Sequence, residues 1–431
     1  MKPIAVRKSR GVKGTITVPG DKSITHRAII LGSLARGTTV VKGYLPSEDC
    51  LHTASAFRLM GILIEEGTKP GDPLKIKGKG LRGLSEPPTV LDLGNSGTAL
   101  RLLTGVLAGQ DFFSVVTGDE SLRRRPMRRV VDPLRRMGAE IHGRQDGNLA
   151  PLAVRGRRLK GIAYRLPVAS AQVKSALLLA GLLADGRTVL TEPMPSRDHT
   201  ERMFLGLGIP LEIRGTQLSM EAPSEFSGRE IEVPGDISSA AFFIVAATIV
   251  KHSELTIRNV GVNPTRTGLL ELLAEMGAEI RVENRREIHH EPVADLVIQS
   301  RPLRGIRVRP ESVPKTIDEF PVLCVAAAAA EGETIIRGAE ELRVKESDRI
   351  RTMATELSRM GADLEELPDG LVIRGGRKLS GARCLSYGDH RIAMALAVAG
   401  LTADGETIVE GAEWIETSFP GFERLLKKVM Q

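Results

Sequence analysis

Three side chains able to bind an anion lie close together near the start of the chain. Lys22, Ser23 and Arg27 belong to the stretch VPGDKSITHRAIILGSLA, which begins at residue 18 and has the breakers and apolar run of a helix start. Positive charge is unusual there, because the helix dipole favours acidic residues at this end. Ser23 and Arg27 are four residues apart and share one helix face. We expect this group to bind a phosphate or carboxylate; the alternative is a solvated surface.

Acidic residues suited to proton transfer occur in two further segments. LRVKESDRI, from residue 342, places Glu346 between Lys345 and Arg349. An acid flanked by cations can move a proton beside anionic groups, although an exposed, charged helix start has the same pattern. VPKTIDEFP, from residue 313, has Asp318 and Glu319 directly before an apolar helix. We expect one of these two carboxylates to cap the helix and the other to face a functional cleft.

Two more segments present cations. GDESLRRRPMRRVVDPLRRMGA, from residue 118, is rich in arginine, and most of its arginines have the pattern of a solvated basic face. Arg125 differs because Pro126 follows it and restricts its backbone to an extended conformation, which can aim one guanidinium from a loop. YGDHRIAM, from residue 387, puts His390 and Arg391 at the start of another apolar helix.

These segments are copies of an internal repeat. Six similar helix starts contain GDKS, GNSG, SAQ, GDIS, TIDE and GDHR, and a second helix of the repeat ends in LRRMGAEI, LAEMGAEI or LSRMGADL. Each unit reads as a helix, a strand, a helix ending at Gly, and two or three strands. The spacing of roughly 65 to 85 residues is too long for a solenoid, so six units predict two domains of three.

The polar residues at the helix starts have two possible roles. Candidate N-caps are Asp21, Asn95, Ser170 and Asp236. Capping does not account for the cations at the same helix starts, which are Lys22, Arg27, Lys174, His390 and Arg391. Because a cation opposes the helix dipole, we expect these helix ends to gather into a positive field that attracts anions.

The composition of the chain indicates which classes of partner and which cellular compartment to expect. The chain has 431 residues, a net charge of +7 and only 3% aromatic residues, which indicates anionic partners and aliphatic cores. Cys50, Cys324 and Cys384 form no pair motif, which argues against a metal site and fits a reducing cytoplasm. The first residues lack the apolar segment of a signal peptide, and the apolar runs are too short to cross a bilayer. We therefore expect a cytoplasmic protein without a membrane partner.

Taken in order, the motifs resemble those of the 5-enolpyruvylshikimate-3-phosphate synthase family over the whole chain. The matching segments are DKSITHRA, LGNSGTALRLL, RRRPM, SAQVKSALL, SRDHTERM, NPTRTGLLELLAEMGA, IDEFP, RVKESDR, GDHRIAMA and TSFPGF. The resemblance implies an α/β (α+β) fold of two inverted α/β barrel domains, each of three repeated helix–strand–helix–strand units, facing each other across a cleft. Residues 1–20 and 236–431 would form one domain, residues 21–235 an inserted one, with a hinge near Gly20 and Gly235.

The resemblance also implies a reaction. Members of the family transfer the enolpyruvyl group of phosphoenolpyruvate to the 5-hydroxyl of shikimate 3-phosphate and release phosphate, a step of aromatic amino-acid biosynthesis that glyphosate inhibits. No metal or organic cofactor is implied, and we expect a monomer that binds these two small anions and no nucleic acid.

The family pattern assigns site residues. Those expected to bind shikimate 3-phosphate are Lys22, Ser23, Arg27, Ser170, Ser196, Arg197, Asp318 and Lys345. Those expected to bind phosphoenolpyruvate, and later the phosphate, are Lys22, Gly97, Arg125, Gln172, Arg349 and Arg391. Asp318 would be the base near the 5-hydroxyl and Glu346 the acid for the methylene carbon, with Lys22 and His390 nearby.

Four positions bear on which branch of the family the chain resembles. Family members of the well-studied enteric type have Lys where Thr417 stands, Asn where Glu341 stands, and Ser where Ala171 stands. The segments RPMRR, SRDHTER and NPTRTG resemble another bacterial branch, some of whose members tolerate glyphosate. The tolerant members carry Ala where this chain has Gly97, so we expect glyphosate to inhibit this protein.

The nearest alternative is the sister enzyme, UDP-N-acetylglucosamine enolpyruvyl transferase. That family typically begins its first helix with Lys-Asn and has a Cys or Asp acid in the loop before its Arg-Pro. Here the helix begins DKSITHR and the loop reads ESLRR, so the sister family fits less well.

Two alternatives come from other classes of protein. The basic composition alone would suit a nucleic-acid-binding protein, but few aromatic residues are available for base stacking and the carboxylates at the helix starts would have no role. An inactive binding module would keep the cations, yet the candidate acid and base are both present.

Overall fold

The computed structural model describes residues 3–69 and 71–431. By its internal contacts the chain divides into two units. One, called here the terminal unit, contains the chain up to Pro19, Pro234–Glu287 and Pro292–Gln431; the other, the inserted unit, contains Gly20–Val233 and Ile288–Glu291. The predicted boundaries lay after Gly20 and Gly235, and the predicted domains also include residues 1, 2 and 70, which lie outside the described residues.

Two strands precede the inserted unit along the chain and belong to the terminal unit. They are β1 (Ile4–Arg7) and β2 (Lys13–Thr17).

The inserted unit contains three copies of the repeat. The first copy consists of α1 (Lys22–Leu34), β3 (Arg36–Lys42), α2 (Glu48–Leu59), β4 (Leu63–Glu65) and β5 (Leu74–Lys79). The second consists of β6 (Leu91–Asp92), α3 (Gly97–Ala108), β7 (Phe113–Thr117), α4 (Arg128–Arg136), β8 (Glu140–Gly143), the short turn α5 (Arg144–Gly147) and β9 (Leu149–Arg155). A 3₁₀ turn at Leu122–Arg124 precedes α4.

The third copy completes the inserted unit. It consists of β10 (Leu159–Lys160), β11 (Ala163–Arg165), α6 (Ala171–Gly181), β12 (Ala184–Asp185), β13 (Thr188–Thr191), α7 (His199–Gly206), β14 (Glu212–Arg214) and β15 (Gln217–Met220). β16 (Glu230–Glu232) follows and returns to the first copy. The three four-stranded sheets have the orders β16-β3-β5-β4, β6-β7-β9-β8 and β11-β13-β15-β14. In the order given, the first two strands of each sheet are parallel and the next two pairings are antiparallel.

The first helices of the three copies form the core of the inserted unit. α1, α3 and α6 are apolar around most of their circumference, as expected for helices that are buried on all sides. α3 and α6 approach so closely that a Cβ at Gly105 would lie 2.2 Å from the carbonyl oxygen of Ala176. Only glycine permits this packing.

The terminal unit contains the other three copies. Its elements are α8 (Ile237–Ile249), β17 (Glu254–Gly261), α9 (Gly268–Glu275), β18 (Glu279–Ile288), β19 (Glu291–Gln299), α10 (Val313–Thr316), α11 (Phe320–Ala329), β20 (Glu333–Ile336), α12 (Arg349–Arg359), β21 (Asp363–Leu367), β22 (Gly370–Arg374), β23 (Arg383–Leu385), α13 (His390–Gly400), β24 (Glu406–Glu410) and α14 (Phe422–Val429). 3₁₀ turns occur at Pro310–Ser312, Glu340–Val344 and Ala412–Thr417.

Strands from the start of the chain complete two sheets of the terminal unit. β2 pairs in parallel with β17, and β1 pairs antiparallel with β24, so that Ile4 lies opposite Val409. The sheet orders are β18-β19-β17-β2, β20-β22-β21 and β1-β24-β23. The sixth copy therefore departs from the predicted pattern only in its last part: α13, β24 and α14 are present, but within the described residues no strand follows α14, and β1 pairs with β24.

The core of the terminal unit contains α8, α11 and α13 and is mostly aliphatic. Its aromatic residues are concentrated in one cluster of Phe242, Phe243, Phe419 and Phe422, with ring centroids 5.4 to 6.1 Å apart. Among the described residues, no helix combines the length and the apolar character needed to cross a membrane.

Candidate active site

Short polar side chains cap the buried helices. Asp21 and Ser170 each accept a hydrogen bond from a main-chain N–H of the first turn, at 2.9 and 3.4 Å, and Asp236 does so in the terminal unit at 2.8 Å. These three capping predictions are confirmed. For α3 the prediction was wrong, because Ser96 rather than Asn95 accepts the capping hydrogen bond, at 3.1 Å. The amide of Asn95 instead contacts other side chains.

The ammonium of Lys22 is held at the start of α1. It forms an ion pair with the carboxylate of Asp49, which begins α2 and is 5% exposed. One-fifth of the Lys22 side chain remains exposed. Ser23 is half-buried beside it. The sequence analysis did not single out Asp49. The only signal for it in the sequence was that α2 begins with acidic residues.

Arg27 lies deeper, at 3% exposure. Its guanidinium donates to Thr200 Oγ1 and Ser175 Oγ, both at 2.7 Å, and to the carbonyl oxygen of Ser23 at 2.9 Å. Burial lowers the pKa of Arg27 to about 10, an effect that the carboxylate of Glu201 partly offsets. The guanidinium is therefore charged at neutral pH and fixed in orientation by α6 and α7.

Lys174 does not contribute to a positive field at the helix starts, contrary to the prediction. Its ammonium is 1% exposed and lies 2.8 Å from Glu192 and 2.6 Å from Glu201, so two carboxylates neutralise it. The same ammonium donates to the carbonyl oxygen of Ser196, whose hydroxyl donates to Glu192. Burial raises the pKa of Glu201. The cluster fixes the Ser196 loop, on which Arg197 is half-buried.

Arg125 has the extended backbone that the following proline predicts, with φ −79° and ψ 136°. Its guanidinium is 7% exposed. It donates to Asn95 Oδ1 at 2.6 Å and to Ser121 Oγ at 3.3 Å. The loop therefore directs this arginine toward the start of α3.

Gly97, at the start of α3, is covered by two guanidinium groups. A Cβ placed there would lie 2.7 Å from Nη1 of Arg101 and 3.2 Å from Nη1 of Arg125. Arg101 also donates to Gln172 Oε1 at 2.9 Å and to the carbonyl oxygen of Pro126 at 3.2 Å. Gly97, Arg125 and Gln172 thus gather around Arg101, which the sequence analysis missed although it lies four residues after Gly97.

In the terminal unit, Arg349 organises the acidic residues. It is 1% exposed; its Nε donates to Asp389 at 2.8 Å and its Nη2 to Glu346 at 2.7 Å. Its Nη1 lies 3.8 Å from the carboxylate of Asp318. These carboxylates raise the pKa of Arg349, against the opposing effect of burial. The predicted acid and base therefore share one arginine, and Asp389, which also caps α13, is a residue that the sequence analysis did not single out.

Three other predicted residues lie close to this group. Lys345 is half-buried, and burial lowers its pKa below the ordinary lysine value. Arg391 donates from Nη1 to the main-chain oxygen of Asp318 at 2.8 Å. His390 is 6% exposed at the first position of α13.

Two expectations about single positions have clear outcomes. Neither Asp318 nor Glu319 caps α11: Glu319 occupies the cap position, but its side chain accepts no capping hydrogen bond. Its carboxylate instead accepts a hydrogen bond from Ser238. Thr417 is 6% exposed, and its hydroxyl donates to the carbonyl oxygen of Trp414 at 2.7 Å, as part of a turn.

The predicted residues thus form one set in each unit. The set in the inserted unit contains Lys22, Ser23, Arg27, Gly97, Arg125, Ser170, Gln172, Ser196 and Arg197. The set in the terminal unit contains Asp318, Lys345, Glu346, Arg349, His390 and Arg391. Within residues 3–69 and 71–431, no group of three or more His, Cys, Asp and Glu side chains could hold a metal ion.

Comparison with known proteins gives consistent matches over the full chain. The sequence model of EPSP synthase (3-phosphoshikimate 1-carboxyvinyltransferase) matches residues 6–426. The 3-phosphoshikimate 1-carboxyvinyltransferase of Desulforudis audaxviator is 57% identical over 99% of both chains, and that of Pelotomaculum thermopropionicum is 58% identical over 99% of this chain and 98% of its own. A solved EPSP synthase structure from Acinetobacter baumannii has a TM-score of 0.88 and 48% identity, covering 100% of this chain and 98% of that one.

Proposed function

The chain belongs to the EPSP synthase family, and from this premise we infer that it transfers the enolpyruvyl group of phosphoenolpyruvate to the 5-hydroxyl of shikimate 3-phosphate, releasing phosphate. The full-length match carries this conclusion. The mixed α/β fold also matches that of EPSP synthase structures. The transfer is a step of the shikimate pathway, which leads to the aromatic amino acids.

We propose that the two units are the two inverted α/β barrel domains of this family. The three repeat copies within each unit support this: the inserted unit has three four-stranded sheets besides the two-stranded sheet β10-β12, and the terminal unit has three sheets. On the sequence alone, we also propose a cytoplasmic monomer whose reaction needs no metal or organic cofactor.

Substrate binding is proposed to use the residues that the family pattern assigns. Shikimate 3-phosphate is bound by Lys22, Ser23, Arg27, Ser170, Ser196, Arg197, Asp318 and Lys345. The Ser196 loop and Arg27 are already fixed by buried contacts, which lowers the entropic cost of binding. Phosphoenolpyruvate is bound by Lys22, Gly97, Arg125, Gln172, Arg349 and Arg391. The contacts of Arg101 with Gly97 and Gln172, and the position of Arg125 beside Gly97, support a preorganised anion site.

The chemical step is proposed to use Asp318 and Glu346. Asp318 takes the proton of the 5-hydroxyl as the hydroxyl oxygen forms a bond with C2 of phosphoenolpyruvate. Glu346 gives a proton to C3. The resulting tetrahedral ketal phosphate then loses phosphate: the bond between C2 and the phosphate oxygen breaks, the leaving phosphate takes the proton held by Asp318, and the C3 methyl group returns a proton to Glu346. Lys22 and His390 assist these proton transfers.

A coupled assay of phosphate release tests the proposal. We expect release that requires both phosphoenolpyruvate and shikimate 3-phosphate and that continues in EDTA. Release with UDP-N-acetylglucosamine in place of shikimate 3-phosphate would instead indicate the sister activity, and no release with either acceptor would reject the proposal.

A further inference from the structure

The buried carboxylate of Glu319 has no role in the mechanism above, although it directly follows the proposed base. It is 2% exposed and occupies the cap position of α11 without capping the helix. A buried charge is costly unless it is paired and hydrogen-bonded. Its partners therefore indicate what the carboxylate does.

One carboxylate oxygen, Oε1, makes all the contacts that follow. The hydroxyl of Ser238 donates to it, and it lies 3.8 Å from Arg266 Nη2 and 3.8 Å from Arg391 Nη1. We name Ser238, Arg266, Glu319 and Arg391 the Glu319 network. The network links the starts of α8, α11 and α13 with the loop before α9.

The charges in this region are arranged around that oxygen. Arg266 is 4% exposed, donates to Ser238 Oγ at 2.5 Å and lies 3.6 Å from the carboxylate of Asp236. Arg391 also donates to the main-chain oxygen of Asp318. Two guanidinium groups thus approach the same oxygen atom from different helix starts, and without its negative charge they would repel each other.

We propose that Glu319 is a positioning residue, which holds the guanidinium of Arg391 in the orientation that binds phosphoenolpyruvate. This inference rests on the proposed function, because Arg391 is a proposed ligand of that substrate. The carboxylate holds Nη1 of Arg391 beside the main-chain oxygen of Asp318. Arg266 is held by Ser238 and Asp236, so it does not take the place of Arg391 at the carboxylate.

A purely electrostatic role would have the opposite effect on binding. A buried negative charge weakens the positive potential that attracts an anion, so its removal alone would tighten the binding of phosphoenolpyruvate. A positioning role predicts weaker binding, because Arg391 would lose a charged partner and move from its orientation. The sign of the change in KM therefore separates the two roles.

The first experiment is Glu319→Gln in the full chain. Gln keeps the size and can still accept the hydrogen bond of Ser238, but it lacks the charge. Because the ion pair with Arg391 is 3.8 Å long and is not a hydrogen bond, we expect KM for phosphoenolpyruvate to rise by about 3- to 10-fold, and KM for shikimate 3-phosphate to change much less. The matched control is Glu333→Gln, which makes the same change in an exposed ion pair with Arg374 in the same unit. An unchanged or lower KM for phosphoenolpyruvate would overturn the proposal.

The second experiment tests whether Glu319 acts through Arg391. In an Arg391→Met background, Glu319→Gln should change KM for phosphoenolpyruvate by less than about 2-fold, since the group that it positions is already absent. A further increase as large as that in the wild-type background would show a separate, structural role. If Glu319→Gln does not fold, the double variant Arg266→Met/Glu319→Gln removes one charge of each sign and carries the same comparison.

The controls also separate this inference from the proposed function. If only the inference about Glu319 is wrong, Arg391→Met will raise KM for phosphoenolpyruvate and Glu319→Gln will not. Loss of the proposed function would appear as wild-type protein that does not turn over. An Arg391→Met variant with unchanged KM would reject Arg391 as a ligand of phosphoenolpyruvate, and the inference with it.

Discussion

Replacing Glu346 by Gln separates the proposed acid from the contacts around it. The side chain is 19% exposed and accepts a hydrogen bond from Arg349 Nη2 at 2.7 Å. Gln has nearly the same shape and keeps an acceptor for that hydrogen bond, but it cannot give up a proton in the way that a carboxylic acid does. The variant should therefore change the chemistry and leave the surrounding structure in place.

The two effects of this change differ in size. The amide oxygen of Gln still accepts from the charged guanidinium of Arg349, but the attraction between opposite charges is lost, so this contact should weaken by about 1 kcal/mol, or roughly 5-fold in binding. A general acid contributes about 10²- to 10⁴-fold to turnover. We therefore expect kcat of Glu346→Gln to fall by at least about 100-fold, with substrate affinity altered far less.

Initial rates of phosphate release give kcat, and calorimetric titration of shikimate 3-phosphate gives affinity for the same preparation. Glu340→Gln is the matched control, because Glu340 is exposed and lies at the other end of the same loop. A kcat of Glu346→Gln within about 10-fold of wild type would refute the assignment, since a missing acid costs more than that.

Three further predictions follow from single sites. Gly97→Ala places a methyl group 2.7 Å from Arg101 and 3.2 Å from Arg125, so it should raise the inhibitory concentration of glyphosate more than KM for phosphoenolpyruvate; an unchanged ratio in inhibition titrations would contradict this. Burial lowers the pKa of Lys345, so affinity for shikimate 3-phosphate should fall as pH rises through that lowered value. Lys345→Arg should reduce this fall, because arginine stays charged at alkaline pH. Equal slopes of affinity against pH for the two proteins would contradict the prediction. Burial raises the pKa of Glu201 above its unfolded value, so the stability that it contributes is present at low pH and lost as pH rises through the folded-state pKa. The melting temperature of Glu201→Gln minus that of wild type should therefore increase as pH rises over this range. A difference that does not change with pH would refute the predicted direction.

Local features of the site followed from the sequence. Asp21, Ser170 and Asp236 cap their helices as predicted, because capping depends on residues only two or three positions away. Arg125 is extended because the following proline excludes helical backbone. The choice between Asn95 and Ser96 did not follow, since both are good caps and only the exact start of the helix decides between them.

Contacts between distant segments did not follow from the sequence. Lys174 was expected to add to a positive field because it lies near a helix start, but two carboxylates from later segments neutralise it. The pairing of Arg349 with Asp389 joins residues 40 positions apart, and that of β1 with β24 joins the two ends of the chain. The repeat predicted which helix starts are equivalent, whereas the partners of each charged side chain depend on the tertiary packing of elements that differ between copies.

Reaction in D₂O tests the central claim most directly, because the claimed route adds a proton to C3 of phosphoenolpyruvate and then removes one. With both substrates present, phosphate release should equal the phosphoenolpyruvate consumed, and NMR should find deuterium in the methylene group of the enolpyruvyl product. Formation of that product without deuterium would contradict proton addition at C3, and consumption of phosphoenolpyruvate without an enolpyruvyl product would contradict the transfer itself.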